Sequence, residues 1–171
     1  MSTRYIHSSK SSWEIADLLQ SIFVMELLYP SKSIWISSPW ISDINVIDNR
    51  SNQFVIIEPS WANRQVTLTE VVAKLVEMDV RIIIGLNDTE HNKSFINTLK
   101  SRVGDASNLR IVRRALLHAK GLIGDHYYLG GSMNFTFNGI SLNEETVFLV
   151  TDPAEVAHNR ISFINKWGQI E

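Results

Sequence analysis

The chain has 171 residues, of which 44% are hydrophobic and 20% charged, with a formal net charge of −2 and no cysteine. This length fits one domain, since domains usually span about 100–200 residues, and the apolar content excludes an intrinsically disordered chain. The lack of cysteine excludes a disulfide framework, a thiolate zinc site and a cysteine nucleophile, and is typical of a reducing compartment. We therefore expect one domain, residues 1–171, with its own core.

The longest apolar stretch, residues 15–29, is interrupted by Asp17, Gln20 and Glu26. A membrane span needs about 20 nearly uncharged residues, and a secretory signal needs an unbroken apolar region. We therefore expect a cytoplasmic protein that does not enter the membrane.

The first element along the chain is a predicted helix. The polar patch at residues 8–12 ends in a capping-box pattern, with Ser11 three residues before Glu14. The apolar periodicity that follows predicts a helix over residues 13–28, which Pro30 stops.

A buried strand and an irregular excursion come next. Residues 33–41 (SIWISSPWI) are rich in β-branched and aromatic side chains, which predicts a strand ending near Pro39. Residues 45–61 are polar and turn-forming, and we expect one short strand there, over residues 54–57.

A helix and a second buried strand follow this excursion. Thr67 and Glu70 form another capping box, which predicts a helix to about Met78. Residues 80–85 (VRIIIG) are nearly all apolar, as is typical of a parallel strand covered on both faces.

The remaining pattern predicts a helix, four strands and a last helix. Asp88 or Thr89 caps a helix that runs to about Val103 and stops at Gly104. The predicted strands are residues 109–112, 116–123, 127–129 and 146–150, and Asp152 with Pro153 then opens a helix to about Trp167. Since the later connections are too short for crossovers, we expect an α/β fold with a mixed sheet sandwiched between helices.

One stretch of this pattern carries chemistry. Strand periodicity places His118 and Lys120 on the same face, two residues apart. An ordinary alternative is a hydrogen-bonded core histidine with a lysine that reaches solvent. The next segment favours function, because Gly130 and Gly131 leave room for a ligand, and Ser132 and Asn134 supply a hydroxyl and an amide for phosphate oxygens.

These residues resemble the signature of the phospholipase D superfamily, which is His-x-Lys, four residues, Asp, and then Gly-Ser-x-Asn. The match comprises six positions over 17 residues: His118, Lys120, Asp125, Gly131, Ser132 and Asn134. Family members also carry a glutamate at the start of the next strand, where Glu145 fits the spacing and Glu144 is the alternative. One departure is that five residues separate Asp125 from Gly131, where the family usually has one more, so we expect a tighter turn at Asp125 and His126.

The resemblance implies a metal-independent phosphodiesterase without a cofactor. In such enzymes a histidine, here His118, attacks phosphorus and forms a phosphohistidine that water hydrolyses. Lys120, Ser132 and Asn134 would hold the phosphate, and Glu145 would fix the tautomer of the imidazole. Asp125 belongs to the same motif, but its strand phase is opposite to that of His118, which assigns it to the turn and its hydrogen bonds.

The chain contains one such motif, whereas the chemistry needs a second histidine to protonate the leaving oxygen. The family's single-motif members, small bacterial endonucleases among them, solve this by pairing two copies. We therefore expect a homodimer whose two copies of His118 share one cleft.

The local charge favours a nucleic-acid substrate. Between residues 102 and 120, five basic residues face Asp105 alone, which gives a net charge of +4. Arg113 and Arg114 lie just before His118 and are candidates for binding the phosphate backbone, although a solvated surface would show the same run. His126 and the aromatic pair Tyr127 and Tyr128 could stack on bases, although aromatic residues near a strand more often belong to the core.

We therefore expect a nuclease that cleaves DNA more readily than RNA, directed by partner proteins in a restriction or defence system, as such family members often are. Two alternatives stay open. One is a lipid phosphodiesterase, although lipid-acting members generally carry two motifs in a longer chain. Trp35, Trp40 and Trp61 could line a lipid-binding site, but Trp35 and Trp40 flank a strand, and we expect these two in the core. The other is a dimeric nucleic-acid-binding subunit of a larger complex with little activity of its own.

Overall fold

The computed structural model describes residues 3–7 and 13–169, and the expected capping box at Ser11 lies outside them. The described residues form nine strands and five α-helices. The strands are β1 Thr3–His7, β2 Ser33–Ser37, β3 Asn45–Asn49, β4 Arg64–Thr67, β5 Arg81–Asn87, β6 Leu109–Arg114, β7 Gly121–Ile123, β8 Tyr128–Gly131 and β9 Thr146–Val150. The α-helices are α1 Trp13–Leu28, α2 Leu68–Glu77, α3 Glu90–Val103, α4 Phe137–Ser141 and α5 Pro153–Trp167.

Seven strands form one mixed sheet in the order β1-β9-β8-β7-β2-β5-β6. Strands β2, β5 and β6 are parallel, whereas β7, β8, β9 and β1 each pair antiparallel with their neighbours, and β7 is also antiparallel to β2. The expected mixed sheet is therefore present. Strands β3 and β4 form a separate two-stranded ribbon.

Helices cover both faces of the sheet. Ile34 and Ile36 of β2 point into the larger hydrophobic cluster, which contains side chains of α1, α2 and α3. Trp35, between them in sequence, points to the opposite face and packs in a second cluster with Trp167 of α5. Because both faces are buried, β5 carries an almost unbroken apolar run. This confirms the predicted α/β sandwich.

Residues 54–57 do not form the strand that we expected. They lie in a turn-rich segment between β3 and β4. The buried side chain of Asn49 explains this, because its Oδ1 accepts from the Phe54 amide at 2.8 Å and its Nδ2 donates to the Trp61 carbonyl at 2.9 Å. A side chain rather than a partner strand therefore satisfies the backbone here.

The strand expected over residues 116–123 begins only at Gly121, and the strand expected to reach residue 41 ends at Ser37. Both shortened segments turn away from the sheet at the same edge. Strands β1, β3 and β4 and helix α4 had no counterpart among our predictions. Within residues 3–7 and 13–169, no helix is long and apolar enough to span a membrane.

Candidate active site at one edge of the sheet

The predicted motif residues lie at both ends of a hairpin formed by β7 and β8. Strands β2, β5 and β6 end at one edge of the sheet, with Ser37, Asn87 and Arg114 as their last residues. Because β7 is antiparallel to β2, its first residue lies at the same edge, as do the end of β8 and the start of β9. This edge therefore gathers the segments that carry His118, Lys120, Ser132, Asn134 and Glu145.

The backbone on either side of His118 is fixed by two polar side chains from neighbouring strands. The Leu117 amide donates to Asn87 Oδ1 at 2.6 Å, and Ser37 Oγ donates to the Ala119 carbonyl at 3.0 Å. Both polar residues are buried, whereas the His118 side chain is exposed. These bonds explain why the segment leaves the strand ladder before Gly121, and they hold an accessible imidazole on a fixed backbone.

Lys120 follows His118 and folds back over it. Its Nζ donates to the His118 carbonyl at 3.0 Å, and the residue is partly buried. It lines a small cleft with Gly121, Gly131 and Met133. The ammonium group is therefore held beside the His118 backbone, close to the end of β8.

Ser132 and Glu145 form a hydrogen-bonded pair. Ser132 Oγ donates to Glu145 Oε2, and Asn143 Nδ2 donates to Glu145 Oε1 at 3.3 Å. Glu145 is 9% exposed, whereas Glu144 is exposed, so the structure places Glu145 rather than Glu144 against the motif. The Thr146 amide also donates to Ser132 Oγ at 3.1 Å, which fixes the hydroxyl oxygen from a second side.

Asn134 lies beyond Ser132, at the edge of a second cleft. The Oδ1 atom of Asn134 is buried and has no hydrogen-bond partner among the described residues. The backbone next to it is fixed, because the Phe135 amide donates to Ser38 Oγ at 3.1 Å. The Oδ1 atom of Asn134 is therefore a buried acceptor whose hydrogen-bonding capacity is not used by the described residues.

Gly131 is a glycine because of strand pairing. Its φ is +142°, and a Cβ there would lie 2.2 Å from the Thr146 carbonyl oxygen. The space that we assigned to an approaching ligand is thus filled by the backbone of β9. What Gly131 contributes is the close approach that brings Ser132 to Glu145.

Asp125 lies at the opposite edge of the sheet, in the turn between β7 and β8. Its Oδ1 is 2.5 Å from the Arg160 guanidinium, and its Oδ2 accepts from the Lys32 amide at 2.8 Å. Arg160 in turn stacks over the Trp35 ring at 5.0 Å. Asp125 therefore fastens the hairpin turn to α5 and to the start of β2, one strand length away from His118.

The buried carboxylate of Glu26 is linked to this turn through Ser31. Glu26 accepts from both the amide and the hydroxyl of Ser31 at 2.7 Å, and Ser31 Oγ accepts from the Asp125 amide at 2.8 Å. Burial raises the pKa of Glu26, although the hydrogen bonds from Ser31 oppose the shift. Burial, together with the nearby Glu26, also raises the pKa of Tyr127.

Tyr127 and Tyr128 of this hairpin belong to the core. Tyr127 is 3% exposed, and Tyr128 packs edge-on against Phe148 and Phe163. The possibility that this pair stacks on bases is therefore wrong. Trp40, in contrast, was expected in the core, but its side chain is 45% exposed.

The basic run between residues 102 and 120 does not act as one surface. Arg102 pairs with Glu70 at 3.7 Å, and Arg110 donates to the Trp167 carbonyl at 2.5 Å. Arg113 and Arg114 end β6 at the edge that carries His118, and both are exposed. Arg113 lies 3.6 Å from Asp88, and Arg114 lies over the Trp167 ring.

Sequence reasoning missed the polar residues that hold this edge together. Asn92 Oδ1 accepts from the Ile41 amide at 2.9 Å, and its Nδ2 donates to the carbonyls of Pro39 and Asn87. With Ser37, Ser38 and Asn87, it joins the segments that follow β2, β5 and β6. A signal was available, since Ser37 and Asn87 each directly follow an apolar strand sequence and Ser38 comes immediately after Ser37.

Taken together, the fold and the motif define a phospholipase D-like domain. Residues 30–167 match the family described as "Cardiolipin synthase, PLD-like domain", and the chain belongs to this family. A comparison with curated protein sequences gave no significant match.

Solved structures show the same fold. NucT from Helicobacter pylori superposes with a TM-score of 0.64 at 13% identity, covering 97% of this chain and 94% of NucT. Nuc from Salmonella typhimurium, described as a phospholipase D family member, gives a TM-score of 0.65 at 13% identity, covering 99% of this chain and 96% of Nuc. The archaeal chromatin protein TrmBL2, whose structure shows a mode of DNA binding, gives 0.56 at 15% identity, covering 98% of this chain and 52% of TrmBL2.

Proposed function

We propose that the protein is a phosphodiesterase that cleaves nucleic acid, with DNA as the preferred substrate, in an active site shared by two subunits. The observation that carries this proposal is that the segments carrying His118, Lys120, Ser132, Asn134 and Glu145 meet Arg113 and Arg114 at one edge of the sheet. A phosphate at this edge would meet Lys120 and the side chains that follow β8. The adjoining arginines would extend the positive surface along a polyanionic backbone.

In the proposed reaction, an imidazole nitrogen of His118 attacks phosphorus, and the bond from phosphorus to the leaving oxygen breaks. His118 of the partner subunit gives a proton to that oxygen. Water then attacks the phosphohistidine while the same partner imidazole takes up a proton from it, which regenerates free His118 and releases a phosphomonoester. Lys120 and the amide of Asn134 would balance the charge on the phosphoryl oxygens throughout.

Ser132 needs one rearrangement in this scheme. Its hydroxyl proton is directed at Glu145, and one proton cannot also bind a phosphate oxygen. We propose that phosphate binding turns this hydroxyl toward the substrate. In that arrangement Glu145 Oε2 would accept from the second imidazole nitrogen of His118, which is the orienting role that the family resemblance implies.

The dimer is part of the proposal because each chain supplies one His-x-Lys motif. The surface beside His118 supports it, since Leu116 is 96% exposed two residues away. A leucine so exposed next to a polar site is suited to contact with a second copy. A role in restriction or defence, with partner proteins that direct the nuclease, stays a prediction of the resemblance.

The test is a cleavage panel in excess EDTA that compares the wild type, His118→Ala and His126→Ala. His126 is an exposed histidine at the opposite edge and serves as the matched control. We expect wild type and His126→Ala to cleave DNA equally, and His118→Ala to lose about 10³-fold or more while staying folded by circular dichroism. Loss of cleavage in EDTA would overturn the metal-independent route.

The same panel separates the other functions. Cleavage of phosphatidylcholine vesicles without cleavage of DNA or RNA would establish a lipid phosphodiesterase. Binding of nucleic acid without cleavage would establish a binding subunit. Sedimentation under assay conditions tests the dimer, because an active monomer contradicts a shared active site.

A further inference from the structure

A second cleft opens beside Asn134, and Lys120 is not among its lining residues. Its volume is about 370 Å³, which falls within the range of about 300–1,000 Å³ for small-ligand sites. Its walls include Trp40, Ser42, His91, Asn134, Phe137 and Asn138. Asn134 belongs to the catalytic motif, so this cleft adjoins the proposed reaction site directly.

Two exposed aromatic side chains stand in the walls of this cleft. Trp40 is 45% exposed and Phe137 is 62% exposed. The segments that carry them are joined, because Ile41 bridges to Phe135 and the Ser42 amide donates to the Phe135 carbonyl at 2.8 Å. Thr136 then caps α4, with its side chain accepting from the Gly139 amide. Both aromatic residues are therefore held in place by a fixed backbone.

The polar groups of the cleft are suited to a neutral ligand. None of its lining residues is a lysine, arginine, aspartate or glutamate. They provide amides from Asn134 and Asn138, and a paired hydroxyl and imidazole, since Ser42 Oγ lies 3.0 Å from His91 Nε2. The buried Asn134 Oδ1 atom, which has no hydrogen-bond partner among the described residues, is an unsatisfied acceptor beside the cleft.

A phosphate is therefore a poor match for the cleft, and a nucleobase is a good one. A base has two apolar faces and a neutral edge of hydrogen-bond donors and acceptors, and proteins recognise unpaired bases by stacking and by amide contacts. The cations that would bind the sugar–phosphate backbone, Lys120, Arg113 and Arg114, lie outside the cleft along the same sheet edge.

We propose that this cleft holds one nucleobase of the strand whose phosphodiester lies at His118, against Trp40 and Phe137. A base within a duplex is paired and stacked, and cannot enter without extrusion. The substrate would then be single-stranded or locally unpaired nucleic acid. This inference rests on the proposed function and specifies its substrate.

The test measures binding with the chemistry switched off. In the His118→Ala background, the dissociation constant of a labelled single-stranded oligonucleotide would be measured by fluorescence anisotropy, with and without Trp40→Ala or Phe137→Ala. Tyr29→Ala is the matched control, because Tyr29 is also an exposed aromatic residue, at 65%, but lies near His126 at the opposite edge. We expect roughly tenfold weaker binding for each cleft variant, near-wild-type binding for the control, and little change with duplex of the same length.

Oligonucleotides with one abasic position, moved stepwise along the strand, provide the second half of the test. One abasic position should weaken binding by the same factor as Trp40→Ala, and combining the two should cause no further loss, because both remove the same contact. Independent, multiplying losses would overturn the proposal. So would unchanged binding in both cleft variants, or dissociation of the dimer in Trp40→Ala, which would make Trp40 a subunit contact.

Failure of this inference can be told from failure of the proposed function. If the wild type cleaves nucleic acid through His118 but is insensitive to the cleft variants and abasic positions, only the base site is wrong. If no nucleic acid is cleaved in a His118-dependent way, the proposed function itself is wrong.

Discussion

Asp125 belongs to the motif by sequence, yet the structure places it where it stabilises the fold. We predict that Asp125→Asn lowers stability and leaves the chemical step nearly unchanged. Its carboxylate is 2.5 Å from the Arg160 guanidinium and accepts from the Lys32 amide at 2.8 Å. The amide of asparagine can keep one of these contacts but removes the charge from the pair.

The magnitude follows from the burial of this pair. The side chains of Arg160 and Asp125 are 21% and 23% exposed, so the interaction lies between an exposed ion pair, at about 0–1 kcal/mol, and a buried one, whose breakage costs about 3–5 kcal/mol. We therefore expect a loss of about 2 kcal/mol in the free energy of unfolding. For a domain of this size that corresponds to a fall in Tm of roughly 4–8 °C.

Thermal unfolding and steady-state cleavage, measured well below both midpoints, separate the two roles. Asp17→Asn is the control, because Asp17 is an exposed acid on α1 and its substitution should leave Tm unchanged. A double-mutant cycle with Arg160→Gln should give a coupling of about 1–2 kcal/mol. An unchanged Tm combined with a hundredfold loss of kcat would refute this reasoning and place Asp125 in the chemistry.

Three further predictions concern the surroundings of the motif. Asn87→Ala leaves the buried Leu117 amide without its acceptor and should cost about 1–3 kcal/mol of stability, while lowering kcat more than it raises KM. Asn87→Asp keeps an acceptor and should restore kcat. If it does not restore kcat, Asn87 has no positioning role. Gly131→Ala should lower the free energy of unfolding by about 2 kcal/mol or more, because the added Cβ would clash with the Thr146 carbonyl. Gly104→Ala, at φ +61° with open space around it, should cost about 1 kcal/mol. Equal losses of stability for the two variants in urea unfolding would contradict this account. Because burial raises the pKa of Glu26, the folded state holds the Glu26 proton more tightly than the unfolded state, and the free energy of unfolding should fall as pH rises above the ordinary pKa of 4.5. Glu26→Gln should remove the part of this fall that Glu26 causes. Parallel curves of stability against pH for the wild type and Glu26→Gln would show that Glu26 does not cause the fall.

The order of strands β2 and β5 to β9 and of the four longer helices could be predicted from local sequence because both faces of the sheet are buried. Continuous apolar runs such as that of β5, and caps such as Thr67 and Asp152, are local signals that the structure follows closely. Residues 54–57 misled us because Phe54 and Ile57 pack against the main core, while the side chain of Asn49, five residues earlier, accepts from the Phe54 amide. No local pattern reports that a side chain takes the place of a neighbouring strand.

The side chains of the candidate site were predicted better than the residues that hold its backbone in place. The motif spacing pointed to His118, Lys120, Ser132 and Asn134, and the structure brings their segments to one edge. The anchors Asn87 and Asn92 were missed because they act through backbone groups far away in sequence. Trp40 was misplaced because a tryptophan beside an apolar strand is usually core, and its exposure follows from Pro39 and Ser38 turning the chain out of the sheet.

The hairpin of β7 and β8 explains how one motif can contain both the residues of the proposed reaction and a residue with a structural role. His118 and Lys120 precede β7, Asp125 lies in the turn, and Ser132 follows β8. The spacing of the motif therefore equals the combined length of β7, the turn and β8. The residue that this chain lacks relative to the family falls between Asp125 and Gly131, and the turn closes within residues 124–127 through a bond from the Gly124 amide to the Tyr127 carbonyl. The register that sets Gly121 opposite Gly130 is formed below that turn. A shorter connection at the far edge is therefore compatible with His118 and Ser132 facing the same cleft, because their relative positions depend on strand pairing and not on the turn.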